Sequence, residues 1–225
     1  MQGKMKKTQI YLVDDHPLVR ESLISLINQQ PDLAVCGESD SAARAMREML
    51  AIQPDLAIMD LSLKGSSGLE LIKAVKAKMR RLSIVVLSVH DERLYAERCI
   101  RAGASAYVMK REPSKRIIVA VREVLAGRIC FSDQIAGIFA QKFVGGRQTL
   151  DESPINALSD RELEVFGLLG KGMATRQAAE SMNVSIKTVQ THCARIKQKL
   201  HLSTATELLR EAIHWHDQNI EGRVS

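Results

Sequence analysis

The stretch that decides the fold is Leu56-Ala57-Ile58-Met59-Asp60, four apolar residues running into one carboxylate. Pro54-Asp55 opens it, and a polar loop containing Gly65, Ser66 and Ser67 closes it. An apolar run this short, bounded by turn residues, reads as a strand covered on both faces. Ile10-Tyr11-Leu12-Val13-Asp14-Asp15 has the same form and ends in two carboxylates. In an open parallel sheet, ligands bind outside the carboxyl ends of the strands. Two such strands in one sheet would bring Asp14, Asp15 and Asp60 into one small space. Like charges that close resist joint ionisation unless a cation compensates. An all-oxygen set of this kind suits a hard divalent ion, and magnesium is the usual one where phosphate is also handled.

Outward from these two stretches, the first 130 residues alternate between β-like and helical patterns. Strands are expected at Gln9–Asp14, Leu33–Glu38, Leu56–Asp60, Ser83–Leu87 and Ala106–Met109. Amphipathic helices are expected near Pro17–Asn28, Ser41–Ile52, Gly68–Lys78, Arg93–Ala102 and Ser114–Leu125. Gly103 and Gly127 fit the left-handed residue that ends a helix. Five such β–α units predict a five-stranded, doubly wound parallel sheet, an α/β fold. Ser88 and Lys110 then fall at strand ends beside Asp60. A carboxylate nucleophile, a hydroxyl, a lysine and a metal form a set that can accept a phosphoryl group.

After residue 130 the alternation stops. Asp133–Val144 reads as a short helix, and Gly145-Gly146-Arg147-Gln148-Thr149 with Asp151-Glu152-Ser153-Pro154 reads as a flexible linker. The rest is helical. Ser159 and Glu162 form a capping-box pair for one helix, Thr175 caps a second and Ser185 a third. The pair Thr204 and Glu207 opens a fourth. The second and third helices, joined by Asn183-Val184-Ser185, have helix-turn-helix form. No acidic residue lies between Glu180 and Glu207, and Ile186, Val189, Cys193, Ile196 and Leu200 trace an inward stripe on the third helix. Its other face offers Lys187, Thr188, Gln190, Thr191, Ala194, Arg195 and Lys199 to DNA, Gln190 and Thr191 to base edges. The division is therefore 8–130, a connector at 131–153 and a helical domain at 154–220.

Bulk composition bounds the partners. The net charge is +6, but the first 130 residues carry 21 Lys+Arg against 15 Asp+Glu, and residues 153–225 carry 9 against 8. Global basicity therefore says little about DNA, and binding must rest on a local patch and on pairing of two copies. No apolar run approaches the ~18 residues of a membrane span. Residues 1–8 lack the apolar centre of a signal peptide, so a cytoplasmic location is expected. The four scattered cysteines, without a CxxC pair, read as isolated thiols. His16 and His90 flank the acidic pocket and read as surface or packing residues.

The first part resembles the receiver domain of bacterial two-component response regulators. The resemblance is carried by Asp14-Asp15, Asp60, Gly68, Ser88 and Ala102-Gly103-Ala104 leading through Tyr107 to Lys110. Separations of 45, 28 and 22 residues between Asp15, Asp60, Ser88 and Lys110 agree with that family. The resemblance implies a flavodoxin-like fold in which Asp60 accepts a phosphoryl group from a sensor histidine kinase. It implies Mg2+ held by Asp14, Asp15, Asp60 and the Ser62 carbonyl. Lys110 contacts the phosphate, while Ser88 and Tyr107 transmit the change. A haloacid-dehalogenase-type phosphatase, the other aspartyl-phosphate reading, would have Asp where Ser62 stands. Leu63-Lys64 replaces the Met-Pro common in receivers, and Arg111-Glu112 precedes Pro113.

Residues 156–216 resemble the LuxR-type helix-turn-helix domain, through Leu158-Ser159, Arg161-Glu162, Ser185, Lys187-Thr188-Val189 and His192. Gln190 stands where that family often has lysine, and Ala178 where it commonly has a larger apolar residue. Together the two resemblances place the chain with the NarL/FixJ group of phosphorylation-controlled transcription regulators. They imply a double-stranded DNA operator and a homodimer built on Leu208, Leu209, Ala212 and Ile213. Beyond promoting its own phosphorylation and dephosphorylation, no enzyme activity is implied. The alternative is a phosphate-independent regulator or a protein-interaction module on the same folds.

Overall fold

The computed structural model describes residues 7–63, 66–144 and 154–221. The glycine-rich connector expected at 145–153, and Lys64 in the acceptor loop, lie outside them. The chain divides into two compact units, one ending at Val144 and one beginning at Gly145.

The first unit contains β1 (Thr8–Val13), α1 (Pro17–Asn28), β2 (Leu33–Ser39), α2 (Ala42–Ile52), β3 (Leu56–Met59) and α3 (Gly68–Lys78). It continues with β4 (Ser83–Ser88), α4 (Glu92–Ala102), β5 (Ala106–Met109), α5 (Ser114–Leu125) and α6 (Asp133–Val144). The strands form one parallel sheet in the order β2-β1-β3-β4-β5, as the doubly wound reading expects. Val13 and Met59 are register partners in adjacent strands, and the Asp60 N–H donates to the Val13 carbonyl at 2.8 Å. The chain winds away from the β1/β3 junction in both directions, which opens a crevice there.

Alternation along the strands covers both faces. Ile10, Leu12, Leu56, Ile58, Val85 and Leu87 share a core with Leu23 and Ile27 of α1 and Ile117, Val121 and Val124 of α5. Tyr11 points the other way, and its hydroxyl donates to Glu48 of α2 at 2.6 Å. Gly103 ends α4 with φ 103°, and Gly127 follows α5 with φ 79°, as their sequence positions suggest. Boundaries shift by one residue at several ends: Asp14 and Asp60 lie just past their strands, not inside them. Beyond the expected last strand, Cys130 makes an isolated bridge to Ala106, and its carbonyl accepts from the Tyr107 N–H at 3.1 Å. From there the chain enters α6, whose leading Ser132 N–H donates to the buried Glu92 at 2.9 Å.

The acceptor loop turns back through a two-residue hairpin, Ser62–Leu63 against Ser66–Ser67. Gly68 then passes so close to the loop that a Cβ would lie 2.0 Å from the Asp60 carbonyl oxygen and 2.6 Å from the Leu61 Cα. Only a residue without a side chain fits that approach.

The second unit holds a 3-10 turn (Pro154–Ala157) and α7 (Asp160–Gly170), α8 (Thr175–Ser181), α9 (Ile186–Lys199) and α10 (Ala205–Glu221). The capping box of Ser159 and Glu162 is present as expected. The Thr204–Glu207 pair also forms, with the Glu207 N–H donating to Thr204 Oγ1 at 3.1 Å. Thr175 does not cap α8. It is the first helical residue, Ala174 holds the cap position, and the Ala174 N–H is met by Gln177 Oε1 at 2.8 Å. Between α7 and α10, Phe166 packs on Trp215 at 5.4 Å between ring centres. Gly170 lies where a Cβ would meet the Ala212 carbonyl at 2.5 Å, which lets α7 and α10 approach.

Replacing Gly68 by alanine is expected to destabilise the first unit by about 1–3 kcal/mol, because backbone atoms must move to make room. Denaturant unfolding checks this; an unchanged midpoint would contradict the close approach.

Candidate phospho-acceptor site and helix-turn-helix surface

Strand ends bring the predicted pocket together. Asp14 and Asp60 are almost fully buried, at 2% and 1% exposure. One oxygen each from Asp14, Asp15 and Asp60, with one ring nitrogen of His16, all lie within 4.8 Å of one another. Lys110, delivered by the end of β5, puts Nζ 2.6 Å from Asp14 Oδ2 and 2.7 Å from Asp60 Oδ2. The Ser62 N–H donates to Asp60 Oδ1 at 3.2 Å.

Burial, reinforced by Asp14, pushes the Asp60 carboxyl up to about 6, although Lys110 and the Ser62 N–H oppose the rise. Burial works against the Lys110 ammonium as well, but Asp60 and Asp14 outweigh it and raise its pKa. Asp14 Oδ2 and Asp15 Oδ1 are buried without a well-directed hydrogen bond; each meets a nitrogen instead, Lys110 at 2.6 Å and His16 at 2.8 Å. Carboxylate oxygens grouped this closely are donors of the kind a divalent cation takes, so the residues present fit one.

Behind the carboxylates, Ser88 is fully buried, and its Oγ accepts from the His90 N–H at 3.2 Å. Tyr107 is buried, and its hydroxyl donates to the His90 carbonyl at 2.9 Å. His90 Nε2 lies 2.8 Å from Ser62 Oγ, and its ring stacks on Tyr95 at 4.7 Å. His90 is therefore a packing residue, as expected, but one that joins Ser88, Tyr107 and the acceptor loop. Arg20, which carries no motif signal, also supports the site. Its Nη1 donates to the Asp14 carbonyl at 2.7 Å and its Nε to Glu38 at 3.0 Å, bracing the turn after β1.

In the second unit, α8 and α9 are joined by a turn in which Asn183 adopts φ 55° and the Val184 N–H returns to the Ala179 carbonyl at 3.0 Å. Ser185 caps α9, accepting from the Thr188 N–H at 3.1 Å. Val189 and Ile196 are fully buried and hold the helix inward. Ile186, expected in that stripe, is 45% exposed, because it is the first helical residue and sits beside the cap. Lys187, Gln190, Thr191, Ala194 and Arg195 face solvent, as expected.

Lys199, expected to face DNA, places its Nζ 2.7 Å from Glu162 Oε2 and 3.0 Å from the Ala157 carbonyl, tying α9 to the start of α7. Thr188 is half-buried, and its hydroxyl is 2.8 Å from Ser185 Oγ, so it serves the cap. Of the proposed pairing residues, Leu208 and Ala212 are buried, because α10 turns that face towards α7 and α9. Leu209 and Ile213, at 41% and 37% exposure, remain available.

A parallel sheet with this acidic crevice, followed by a capped helix-turn-helix, defines a receiver joined to an output domain. The family model "Response regulator receiver domain" matches residues 10–122, and "Bacterial regulatory proteins, luxR family" matches residues 156–212. The oxygen regulatory protein NreC of Staphylococcus epidermidis is 32% identical over 210 residues, covering 91% of this chain and 96% of that protein. The DNA-binding transcriptional activator DevR/DosR of Mycobacterium tuberculosis is 33% identical over 199 residues, covering 88% and 91%. A crystal structure of a LuxR-family two-component response regulator from Aurantimonas covers 62% of this chain and 99% of its own, with 34% identity and a TM-score of 0.57. RcsB from Salmonella enterica serovar Typhimurium, solved bound to a promoter with a phosphomimetic, shares the fold over 91% of this chain at a TM-score of 0.59. The chain belongs to the response regulators with a LuxR-type output domain, a family of phosphorylation-controlled transcription regulators.

The Asp60 pKa fixes a pH dependence. A carboxyl raised from its unfolded value to about 6 binds its proton more tightly when folded, so stability falls as pH rises between about 4 and 6. Asp60→Asn removes that cost. The variant is expected to be more stable than the parent at pH 7–8, by on the order of 1–3 kcal/mol. The gain should fade below pH 4; melting curves across pH with no such convergence would contradict the assignment.

Proposed function

We propose that Asp60 is the phospho-acceptor of a two-component system. The observation that carries this reading is the buried Asp60 carboxylate at the β1/β3 switch point, within 2.7 Å of Lys110 and grouped with Asp14 and Asp15. An Asp60 oxygen forms the O–P bond as the P–N bond of a kinase phosphohistidine breaks and the electron pair returns to the imidazole. Mg2+ belongs with Asp14, Asp15, Asp60 and the Ser62 carbonyl, and when bound supplies charge neutralisation to the phosphoryl oxygens. Lys110 takes a phosphoryl oxygen in place of one of its present carboxylate partners. Ser88 is drawn towards the same group, which disturbs its bond to His90 and with it the seat of Tyr107. The functional division is a receiver at 8–130, a connector at 131–153 and the DNA-binding domain at 154–220.

Because phosphate shifts only an equilibrium whose states it distinguishes, the output requires two arrangements of the protein. In the phosphorylated one, α9 is exposed and two copies pair on a double-stranded operator, with Leu209 and Ile213 offering apolar contact. Gln190, Thr191 and Ala194 face base edges, while Lys187 and Arg195 take phosphates. The location is cytoplasmic, and no described helix is long and apolar enough to cross a membrane.

Incubation with a small-molecule phosphodonor is expected to add one phosphoryl mass, dependent on both Mg2+ and Asp60. A folded protein that gains no mass, or an Asp60→Asn variant that still gains it, would overturn the reading. On operator DNA, Gln190→Ala should lose about 1–3 kcal/mol of sequence discrimination. Arg195→Ala should weaken binding to all sequences alike and lower the salt slope by about 1. Titrations at several salt concentrations separate the two.

A further inference from the structure

The acidic pocket holds one imidazole against its carboxylates. His16 follows Asp14-Asp15 directly and holds the position before Pro17 at the start of α1, where its side chain caps nothing. Its Nδ1 turns back instead, lying 3.2 Å from Asp14 Oδ1 and 2.8 Å from Asp15 Oδ1. Around a six-coordinate ion with bonds of about 2.1 Å, adjacent ligand atoms lie about 3.0 Å apart and opposite ones about 4.2 Å. The two His16 separations match adjacent positions. Among the described residues, His16 is the only histidine whose ring nitrogen joins the three carboxylates within 4.8 Å. His90, the other histidine near the pocket, directs Nε2 to Ser62 Oγ.

We propose that His16 is an additional nitrogen ligand of this pocket, so that the site which takes Mg2+ also takes a first-row transition divalent cation, and holds it more tightly. An all-oxygen site suits magnesium, whereas an imidazole shifts preference towards manganese, iron, cobalt or zinc. Asp15 supports the arrangement: its buried Oδ1 has no well-directed hydrogen bond, and Nδ1 of His16 is its close neighbour. With 61% of its side chain exposed, the imidazole is free to rotate onto an arriving ion without disturbing the core. This inference rests on the reading that the pocket takes a divalent cation for phosphoryl chemistry.

The test uses the full-length protein with Mn2+ and Mg2+ in turn. Pulsed electron paramagnetic resonance of the Mn2+ form is expected to show nitrogen-14 modulation from a directly bound imidazole, absent in His16→Ala and retained in His90→Gln. By calorimetry, His16→Ala and His16→Gln should bind Mn2+ about tenfold more weakly or worse. Mg2+ affinity should change by less than about threefold. Absence of nitrogen modulation in the parent protein, its persistence in His16→Ala, or an unchanged ratio of the two affinities overturns the proposal. If both ions bind and the ratio is unchanged, the carboxylate site stands without His16. If neither ion binds, the metal-dependent acceptor reading fails and the inference falls with it.

Discussion

The first unit depends on a balance of charge at the ends of β1 and β3. Two carboxylates that are almost fully buried, Asp14 and Asp60, face one lysine that is itself largely buried. Uncompensated, either would carry a desolvation cost too large for a domain of this size to absorb. The parallel sheet makes the arrangement possible, because register pairs Val13 with Met59 and delivers both acids to one crevice. Gly68 closes it from outside by letting the returning chain lie against the Asp60 carbonyl. The same balance makes the pocket responsive: any group that adds or neutralises charge there changes what Lys110 must hold.

Much of this was legible from strand ends and spacing. Short apolar runs that end in Asp, and lysine or serine after others, locate the crevice because strand order then brings carboxyl ends together. The helices were legible through their caps: Ser159 with Glu162, Ser185, and Thr204 with Glu207 all act as their sequence positions suggest. The missed features share a physical cause, namely contact between residues distant in sequence. Lys199 reads as one more cation on a basic helix, and nothing local reveals Glu162, 37 residues earlier, as its partner. Leu208 and Ala212 belong to an apolar pattern whose inward side is set only once α7 packs against α10. Cys130 extends the sheet through backbone pairing, to which its side chain gives no clue.

His90 shows how a residue without motif value acquires a role through its main chain. Its N–H is held by Ser88, its carbonyl by Tyr107 and its ring by Ser62 and Tyr95. Two residues further on, Glu92 at the start of α4 receives the N–H of Ser132, where the chain turns into α6. A displacement at Ser88 therefore meets a chain of directed bonds in place of slack. Directed bonds have few alternative arrangements, which favours a change between discrete states over a graded one.

The support of α9 has a consequence for how such regulators diversify. Ser185 fixes its first turn, Lys199 anchors its last turn to Glu162, and Val189 and Ile196 hold its middle. None of these positions lies among Lys187, Gln190, Thr191, Ala194 and Arg195, the outward face. Substitutions there leave the caps, the anchor and the core intact. On the proposed reading, the contacts offered to DNA can therefore change one residue at a time while α9 stays folded.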